Sequence, residues 1–274
     1  MKHNNMFKLN VQRKVVHNMN ELELKPTYWA SISGGKDSLF MLKLILKHPE
    51  KYPLNGVVYF DLEIDYPFIK DVISKIKAEC IRLKIPMFEI KPRQTWMTLY
   101  EKYGYPTRVA RWCNNKYKLD CSDQFEQMQR QYGNSVNWYI GYCYDEKARY
   151  EKRTNKNEIY PLVDYEINES WILEWAREQT IFNNYYLTND RCGCMYCPMA
   201  SKLNFAYLYK YYPNEFNKMI ELMKNTEIKL SERFNRKFSV TSSNPKYDAI
   251  YLDNIIKTKW INKLNELEKN YRYK

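Results

Sequence analysis

Apolar residues follow two different spacings in the first two-thirds of the chain. Short, nearly continuous apolar runs at residues 28–32 and in NGVVYFD (55–61) predict strands, the second of them buried on both faces. Apolar residues repeated every three or four positions predict helices over 38–46 and 68–83. Strands separated by helices of this length predict a parallel sheet with right-handed crossovers, and ligands of such sheets bind at the carboxyl ends of the strands.

The same two spacings continue through the rest of the chain. They predict strands at IPMFEIK (85–91) and SVNWYIGY (135–142), helices at about 122–131 and 169–179, and mainly helices from 203 onward. The pattern as a whole predicts an α/β fold, a parallel sheet flanked by helices, with a helical C-terminal region. We expect three parts: an N-terminal extension (1–26), a sheet-based core (27–198) and a helical segment (199–274). The core and the helical segment are divided near Pro198.

The turn SGGKDS, residues 33–38, lies between the first predicted strand and the first predicted helix. Its glycines let backbone N–H groups approach a ligand, and the first turn of the helix presents unpaired N–H donors, so an anion such as phosphate is the favoured occupant. The spacing is neither that of a Walker A loop nor GxGxxG. The alternative is a tight turn in which Ser33 caps the helix. Asp61, at the end of the second strand, is placed where an acid could hold a ribose hydroxyl or a metal ion.

Charge suggests a second kind of partner. The chain has 44 Lys and Arg against 32 Asp and Glu, a formal net charge of +12. This excess favours DNA or RNA, because cations that neutralise phosphates release counterions. The alternative is a solvated cationic face on the Lys-rich C-terminal helices. The aromatic segment YLYKYY (207–212) leaves a similar choice between stacking on bases and packing in the core.

Hydropathy and cysteine usage predict the compartment. No apolar run reaches the roughly 18 residues of a membrane helix, and the N-terminal segment MKHNNMFKLNVQRK has no apolar stretch like that of a signal peptide. Three of the seven cysteines lie in RCGCMYCP, a spacing that favours a metal or redox site over a disulfide framework. We therefore expect a cytoplasmic protein without a membrane partner.

Four cysteines are candidate metal ligands. They are Cys113 in RWCNNK, and Cys192, Cys194 and Cys197 in RCGCMYCP. A CxxC pair places two thiolates on one tight loop, and more distant thiolates can close a site around Zn²⁺ or an iron–sulfur cluster. The spacing does not choose between these metals, and free structural or reactive thiols are the alternative.

These motifs together resemble a known family. SGGKDS resembles the PP-loop of ATP pyrophosphatases. The order in which FDLEIDYP, GYPTRVARWCNNKYK, GYCYDEKAR and CGCMYCP follow it resembles the phosphoadenosine phosphosulfate (PAPS) reductase family, including its DndC-type relatives that add sulfur to nucleic acids. The resemblance covers about residues 28–198.

The resemblance implies a Rossmann-like sheet of the adenine nucleotide alpha hydrolase type and a set of nucleotide-binding residues. The implied nucleotide-binding residues are Ser33, Gly34, Gly35, Lys36, Asp37, Ser38, Asp61, Asp145, Glu146 and Arg149. Lys36, Asp37 and Arg111 are the catalytic candidates, with Lys36 as an electrostatic clamp on the phosphates. The cations around Cys113, which are Arg108, Arg111, Lys116 and Lys118, could hold the phosphates of a second substrate. Asp145, Glu146 and Arg149 match the family's DExxR element, although a salt-bridged turn would look the same.

The resemblance also bears on the cysteines. In family members with a [4Fe–4S] cluster, cysteines matching Cys113, Cys194 and Cys197 supply ligands. Here the second of the family's adjacent cysteines is Asn114, and Cys192 is extra. Either Cys192 is the fourth ligand, or three cysteines leave one iron open.

Two departures argue against sulfonucleotide reduction. Where the family has an arginine suited to sulfate, this sequence has Cys143, and no cysteine follows Cys197 to act as the family's tail nucleophile. We therefore expect ATP-dependent adenylation, with Mg²⁺ and release of pyrophosphate, coupled to sulfur transfer. The sulfur would come from a cysteine persulfide, charged by a cysteine desulfurase-like protein, or from an open iron site. PAPS or adenosine phosphosulfate reduction, and a nucleotide-sensing or partner-binding module without turnover, are the alternatives.

Overall fold

The computed structural model describes residues 24–152 and 157–272, so the predicted N-terminal extension lies almost wholly outside the described residues. The strands are β1 (Lys25–Ile32), β2 (Gly56–Phe60), β3 (Met87–Ile90), β4 (Asn134–Tyr139) and β5 (Glu158–Ile159). The helices are α1 (Lys36–Lys47), α2 (Pro67–Arg82), α3 (Trp96–Tyr103), α4 (Leu119–Gln131), α5 (Lys147–Tyr150), α6 (Pro161–Asp164), α7 (Glu169–Glu178), α8 (Lys202–Tyr211), α9 (Pro213–Phe234), α10 (Ala249–Ile255) and α11 (Ile261–Arg272).

The strands form one parallel sheet in the order β3-β2-β1-β4-β5, which confirms the predicted fold class. The central strand β1 pairs with β2 on one side and β4 on the other, so that Trp29 lies opposite both Gly56 and Trp138. The chain forms β2 and then β3 on one side of β1, and afterwards forms β4 and then β5 on the other side. The carboxyl ends of β1 and β4 therefore border a crevice at the topological switch point, where open α/β sheets bind their ligands.

Successive side chains of β1 point to opposite faces of the sheet and contribute to the apolar cluster on each face. Trp29 points to a small cluster on one face, where its ring packs edge-on against Phe125 of α4 at 4.9 Å between centroids. Ala30 and Ile32 belong to the larger cluster on the other side. This two-residue period is that of a strand covered by helices on both faces, as its apolar composition predicts.

The C-terminal helices share the main core with the sheet. Phe205 and Tyr207 of α8 and Phe216 of α9 are buried in the same apolar cluster as Ile32. The helical character predicted from residue 203 onward is confirmed. Within YLYKYY, the Tyr207 ring is core, 6.0 Å from the ring of Tyr66. The division near Pro198 remains a prediction.

Short elements depart from the hydrophobic pattern. Helix α3 was not predicted because it has only two turns; it begins where the Thr95 hydroxyl accepts the N–H of Thr98. The two-residue strand β5 is too short to show an alternation. A π-helical turn, Cys113–Lys118, precedes α4, so the helical segment starts earlier than the predicted 122. None of the helices in the described ranges has the length and apolar composition needed to cross a bilayer.

Candidate active site

The loop 33–38 occupies the switch-point crevice between β1 and α1. Gly34 has φ of +74°, and a Cβ there would lie 2.7 Å from Cγ2 of Ile69, so both the backbone conformation and the space require glycine. Gly141, just after β4, also lies close against the loop, since a Cβ there would lie 3.0 Å from the carbonyl oxygen of Asp37. The two strand ends thus enclose the first turn of α1.

No side chain of the loop itself caps the start of α1, and one of its amides is met by a distant tyrosine. The Ser33 N–H donates to Oγ of Ser38 (3.2 Å), and the Gly35 N–H donates to Oγ of Ser33 (3.4 Å). Gly35 is the N-cap of α1, so the alternative in which Ser33 caps this helix is not what the structure has. The Lys36 N–H donates to the hydroxyl of Tyr186 (3.0 Å). An N-terminus of this kind favours an anionic ligand.

Lys36 is a buried cation held by two carboxylates. Its side chain is 1% exposed, and Nζ lies 2.7 Å from Oδ1 of Asp37 and 3.1 Å from Oε1 of Glu169. Burial alone would lower the pKa of Lys36, but the two carboxylates outweigh it and raise that pKa above its usual value. The ammonium therefore stays charged in the crevice, as a phosphate clamp requires.

Asp37 and Cys143 meet on the other side of this cation. Burial raises the pKa of Asp37, although the charge of Lys36 opposes the shift. The Cys143 thiol donates to Oδ1 of Asp37 at 3.5 Å, and burial raises the pKa of this thiol as well. Cys143 is fully buried, so the position that holds a guanidinium in the family has a neutral thiol against a carboxyl group here.

Arg191 connects the cysteine segment to the loop. Its guanidinium donates from Nη2 to Oε2 of Glu169 (2.8 Å) and from Nε to Oε1 (3.1 Å), which makes a forked pair. Burial would raise the pKa of Glu169, but the hydrogen bonds from Arg191 and the attraction of Lys36 lower it. Glu169 is thus an ionised bridge between Lys36 in the loop and Arg191, which directly precedes Cys192.

The DExxR residues build the turn beside this bridge. Oδ1 of Asp145 accepts the N–H of Glu169 at 3.0 Å, at the start of α7. Glu146 accepts the N–H of Cys143 at 3.2 Å and pairs with both Arg149 and Arg191. These bonds hold the crevice in shape, as the alternative of a salt-bridged turn predicts; contact of these residues with a nucleotide remains a prediction.

Asp61 lies where the sequence placed it, directly after β2 at the carboxyl edge of the sheet. Its N–H donates to the carbonyl oxygen of Ile90 (3.0 Å), and its Oδ1 accepts the N–H of Glu63 (3.1 Å). Lys91 is its nearest cation, with Nζ at 3.6 Å from Oδ2. The carboxylate is therefore oriented by its own loop, while its role toward a ribose or a metal ion remains a prediction.

Three of the four candidate cysteines lie together, and we call Cys113, Cys194 and Cys197 the cysteine cluster. The Cys194 and Cys197 thiols hydrogen-bond each other, which raises the pKa of Cys194 and lowers that of Cys197 to about 6, with the positive charge of Arg111 nearby also lowering the latter. Burial raises the pKa of Cys113, and the charge of Cys197 adds to the shift. All seven cysteines of the chain are free.

Cys192 is the fourth candidate. Its thiol donates to the carbonyl oxygen of Gly193 at 3.7 Å, and burial raises its pKa, with the charge of Asp65 adding to the shift. Among the described residues, no group of three or more His, Cys, Asp or Glu side chains is placed to hold a metal ion. The arrangement of these thiols therefore does not fit a metal centre as it stands, and we assign no chemical step to a metal; the predicted cluster or Zn²⁺ remains a prediction.

Sequence reasoning missed three residues of the site: Tyr186, Glu169 and Arg191. Glu169 gave no distinctive signal, because an acidic residue at the start of a helix is explained by the helix dipole alone. Arg191 did give a signal in the sequence, because an arginine next to a cysteine motif of a phosphate-binding protein is a candidate partner for an anion or a carboxylate. Tyr186 reaches Lys36 from 150 residues away, a contact that no local pattern encodes.

A parallel sheet with a glycine-containing turn into a helix and a buried lysine at its switch point is typical of α/β proteins of the nucleotide-binding class. Residues 27–200 match the phosphoadenosine phosphosulfate reductase domain, and the chain belongs to this family. The predicted resemblance is confirmed at the level of the family.

Two curated relatives resemble the chain over most of its length. The uncharacterized protein MJ0973 of Methanocaldococcus jannaschii is 28% identical over 200 residues, which are 71% of this chain and 47% of that protein. The uncharacterized protein MJ0066 of the same organism is 25% identical over 224 residues, 78% of this chain and 44% of that protein. The chain thus spans somewhat less than half the length of these relatives.

Proposed function

We propose that this protein binds ATP at the loop 33–38, transfers AMP to an oxygen of an acceptor, and replaces that oxygen with sulfur. The acceptor is a nucleic acid, consistent with the net charge of +12. The observation that carries the proposal is the bridge from Lys36 through Glu169 to Arg191. This bridge joins Lys36 to Arg191, which directly precedes the cysteine segment, and so supports a reaction in which the nucleotide and sulfur steps occur close together.

In the first step the acceptor oxygen attacks the α-phosphorus of ATP. The bond from the α-phosphorus to the oxygen bridging the β-phosphate breaks, and pyrophosphate leaves. The nucleotide is expected as its Mg²⁺ complex, in which the ion belongs to the substrate. Lys36 and the first amides of α1 stabilise the charge that develops on the phosphates. Glu169 keeps Arg191 as a partner, so Lys36 can turn toward the phosphates without leaving that carboxylate unpaired.

In the second step a persulfide on Cys197 supplies the sulfur. Its terminal sulfur attacks the activated carbon, the carbon–oxygen bond breaks, and AMP leaves. The Cys194 thiol, which loses its proton as it reacts, then attacks the Cys197 sulfur of the resulting mixed disulfide, which releases the thiolated acceptor and leaves a Cys194–Cys197 disulfide. The lowered pKa of Cys197 supports its role as the carrier, and the 3.2 Å hydrogen bond from its N–H to the carbonyl oxygen of Cys194 keeps the second cysteine close. A cysteine desulfurase-like protein would supply the persulfide, and an external dithiol would reduce the disulfide.

The sulfonucleotide reductase alternative is favoured by family membership alone. A neutral, buried Cys143 beside Asp37 offers a sulfate group no positive charge at that position. The third alternative, nucleotide binding without turnover, is supported by the ion pairs that already engage Lys36.

Three measurements separate these functions. Pyrophosphate release from ATP that rises when RNA or DNA is added supports adenylation, whereas thioredoxin-dependent release of sulfite from PAPS supports reduction. Tight binding of ATP with neither product supports the binding module. In the proposed reaction, Cys197→Ser keeps pyrophosphate release but abolishes incorporation of ³⁵S from a labelled persulfide donor. Cys80→Ala, which alters a core cysteine of α2, is the matched control and keeps both.

A further inference from the structure

A cleft beside the cysteine cluster is separate from the loop 33–38. It has a volume of about 1090 Å³, and its walls come from residues 103–110, 198–205 and 226–252. Two residues of the cleft wall connect it to the segment of the cluster. Pro198 directly follows Cys197, and the hydroxyl of Tyr105 donates to the carbonyl oxygen of Tyr196 at 2.9 Å.

The wall of this cleft is cationic. Among the residues that the structure describes, no Asp or Glu lines it, whereas four exposed cations do: Arg108, Lys202, Arg236 and Lys237. None of these four pairs with a carboxylate of residues 24–152 or 157–272. Two of them instead lie over aromatic rings, Arg236 at 4.7 Å from the Phe238 centroid and Lys202 at 5.6 Å from that of Trp260. Their charge is thus free to meet an anion.

Exposed aromatic rings lie among these cations. Tyr103, Tyr247 and Tyr251 line the cleft with 40%, 45% and 37% of their surface exposed. The last two rings are 4.9 Å apart. The hydroxyls of Ser239 and Thr241 both donate to the carbonyl oxygen of Tyr247, at 2.6 and 2.8 Å, which fixes the loop that carries it. Large rings held in solvent by a fixed loop are surfaces on which flat groups can stack.

We infer that this cleft binds a single-stranded nucleic acid. Free cations neutralise its phosphates, and the tyrosines stack on its bases, the combination found in single-strand binding sites. An acidic peptide would use the cations but not the rings. A mononucleotide has one base and one phosphate group or chain, whereas the cleft offers three exposed tyrosine rings and four cations.

The assignment of this strand as the sulfur acceptor rests on the proposed function, but its binding does not. Pro198, which directly follows Cys197, lines the cleft, and so does Tyr105, whose hydroxyl bonds the carbonyl oxygen of Tyr196 directly before Cys197. A strand bound in the cleft would therefore lie against the segment that carries the proposed sulfur.

The test measures fluorescence anisotropy of labelled ribo- and deoxyribo-oligonucleotides of about twelve nucleotides with the full chain. We expect binding of at least one of them to weaken at least tenfold in Arg108→Glu/Arg236→Glu. For a single strand, log K falls against log[salt] by about 0.7 per phosphate contact, so this variant should lower the slope by about 1.4. Tyr247→Ala should weaken binding about fivefold or more, while Tyr247→Phe retains the ring and the affinity.

The matched control is Lys75→Glu/Arg130→Glu. It makes the same change in net charge at exposed positions on α2 and α4 outside the cleft, and should leave the affinity within twofold. Far-ultraviolet circular dichroism and ATP binding at the loop 33–38 report that each variant is folded.

Each possible outcome either supports or overturns the assignment of the cleft. Binding of neither oligonucleotide, equal weakening by the control, or displacement of the strand by equimolar AMP would overturn the inference. Strand binding that follows the cleft variants, without stimulation of pyrophosphate release, would support the cleft and count against the proposed function. Pyrophosphate release from ATP without strand binding would support the adenylation step of the proposed function and overturn the assignment of the cleft.

Discussion

At the scale of single residues, the site depends on a buried ammonium. We expect Lys36→Ala to lower ATP-dependent pyrophosphate release by about 100-fold, because one preorganised donor to a developing phosphate charge is worth about that factor. Initial rates measured with a coupled pyrophosphate assay, together with calorimetric ATP binding, check this. Lys43→Ala changes an exposed lysine on the same helix and should leave both values unchanged. Unaltered affinity and rate in Lys36→Ala would contradict the assigned role.

The lowered pKa of Glu169 predicts how the stability of the protein depends on pH. Arg191 and Lys36 lower its pKa below the usual 4.5, so its ionised form contributes stability above that pH and loses the contribution as pH falls through the lowered pKa. Glu169→Gln should therefore destabilise the protein by about 1–3 kcal/mol near pH 7, with the difference closing below pH 4.5.

Urea unfolding midpoints between pH 3 and about 7 measure the Glu169 effect. Glu174→Gln, at an exposed position of the same helix, is the control and should follow the unmodified protein throughout. A difference between Glu169→Gln and the unmodified protein that stays constant with pH would show that the ion bridge is not its source.

How much of the site was predictable differs from residue to residue. The loop 33–38 could be predicted because its function is local: glycine, helix start and lysine follow one another in the chain. The bridge could not, because Lys36 and Glu169 lie 133 positions apart and meet only through the packing of α7 against α1. The grouping of the CxxC cysteines with Cys113 was predicted by resemblance, whereas the resemblance left the role of Cys192 open, and its thiol donates to the carbonyl oxygen of Gly193.

At the scale of elements, the turn from β1 into α1 requires glycine for two physical reasons, and a matched pair of variants separates them. Gly34 and Gly133 have nearly the same φ, +74° and +75°, but a Cβ at Gly34 meets Ile69 whereas one at Gly133 meets nothing within 4 Å. Gly133→Ala should cost about 1–2 kcal/mol of unfolding free energy from backbone strain. Gly34→Ala should cost at least about 1 kcal/mol more through the steric contact.

Urea unfolding of both glycine variants measures this difference, and ATP binding should be lost in Gly34→Ala alone. Equal destabilisation of the two would mean that Ile69 moves aside and that strain in the backbone decides the effect. Retained ATP binding by Gly34→Ala would mean that the loop tolerates another shape.

The long elements were predictable from the sequence for a simple reason. β2 is buried over nearly all of its length, and α2 buries one face, so their apolar patterns are complete. Element ends were less accurate, because β1 begins at Lys25 through pairing with Asn134 and not through its own apolar residues. Helix α3 and β5 are defined by tertiary contacts and by a cap, which hydrophobic spacing does not record.

At the scale of the whole molecule, one question is whether the family domain folds without the C-terminal helices. The match ends at residue 200, yet Phe205, Tyr207 and Phe216 are buried with the sheet's apolar residues. Burial of each such ring contributes about 1.5–3 kcal/mol, so these three alone approach the total stability of about 5–15 kcal/mol of a typical domain. We expect a fragment of residues 1–200 to lack a cooperative thermal transition and to bind a hydrophobic dye. Mixing it with a peptide of residues 201–274 should restore the transition seen by circular dichroism. If the fragment alone melts as cooperatively as the full chain, the predicted division near Pro198 is a true domain boundary, and the helical segment is an addition that serves the cleft and not the fold.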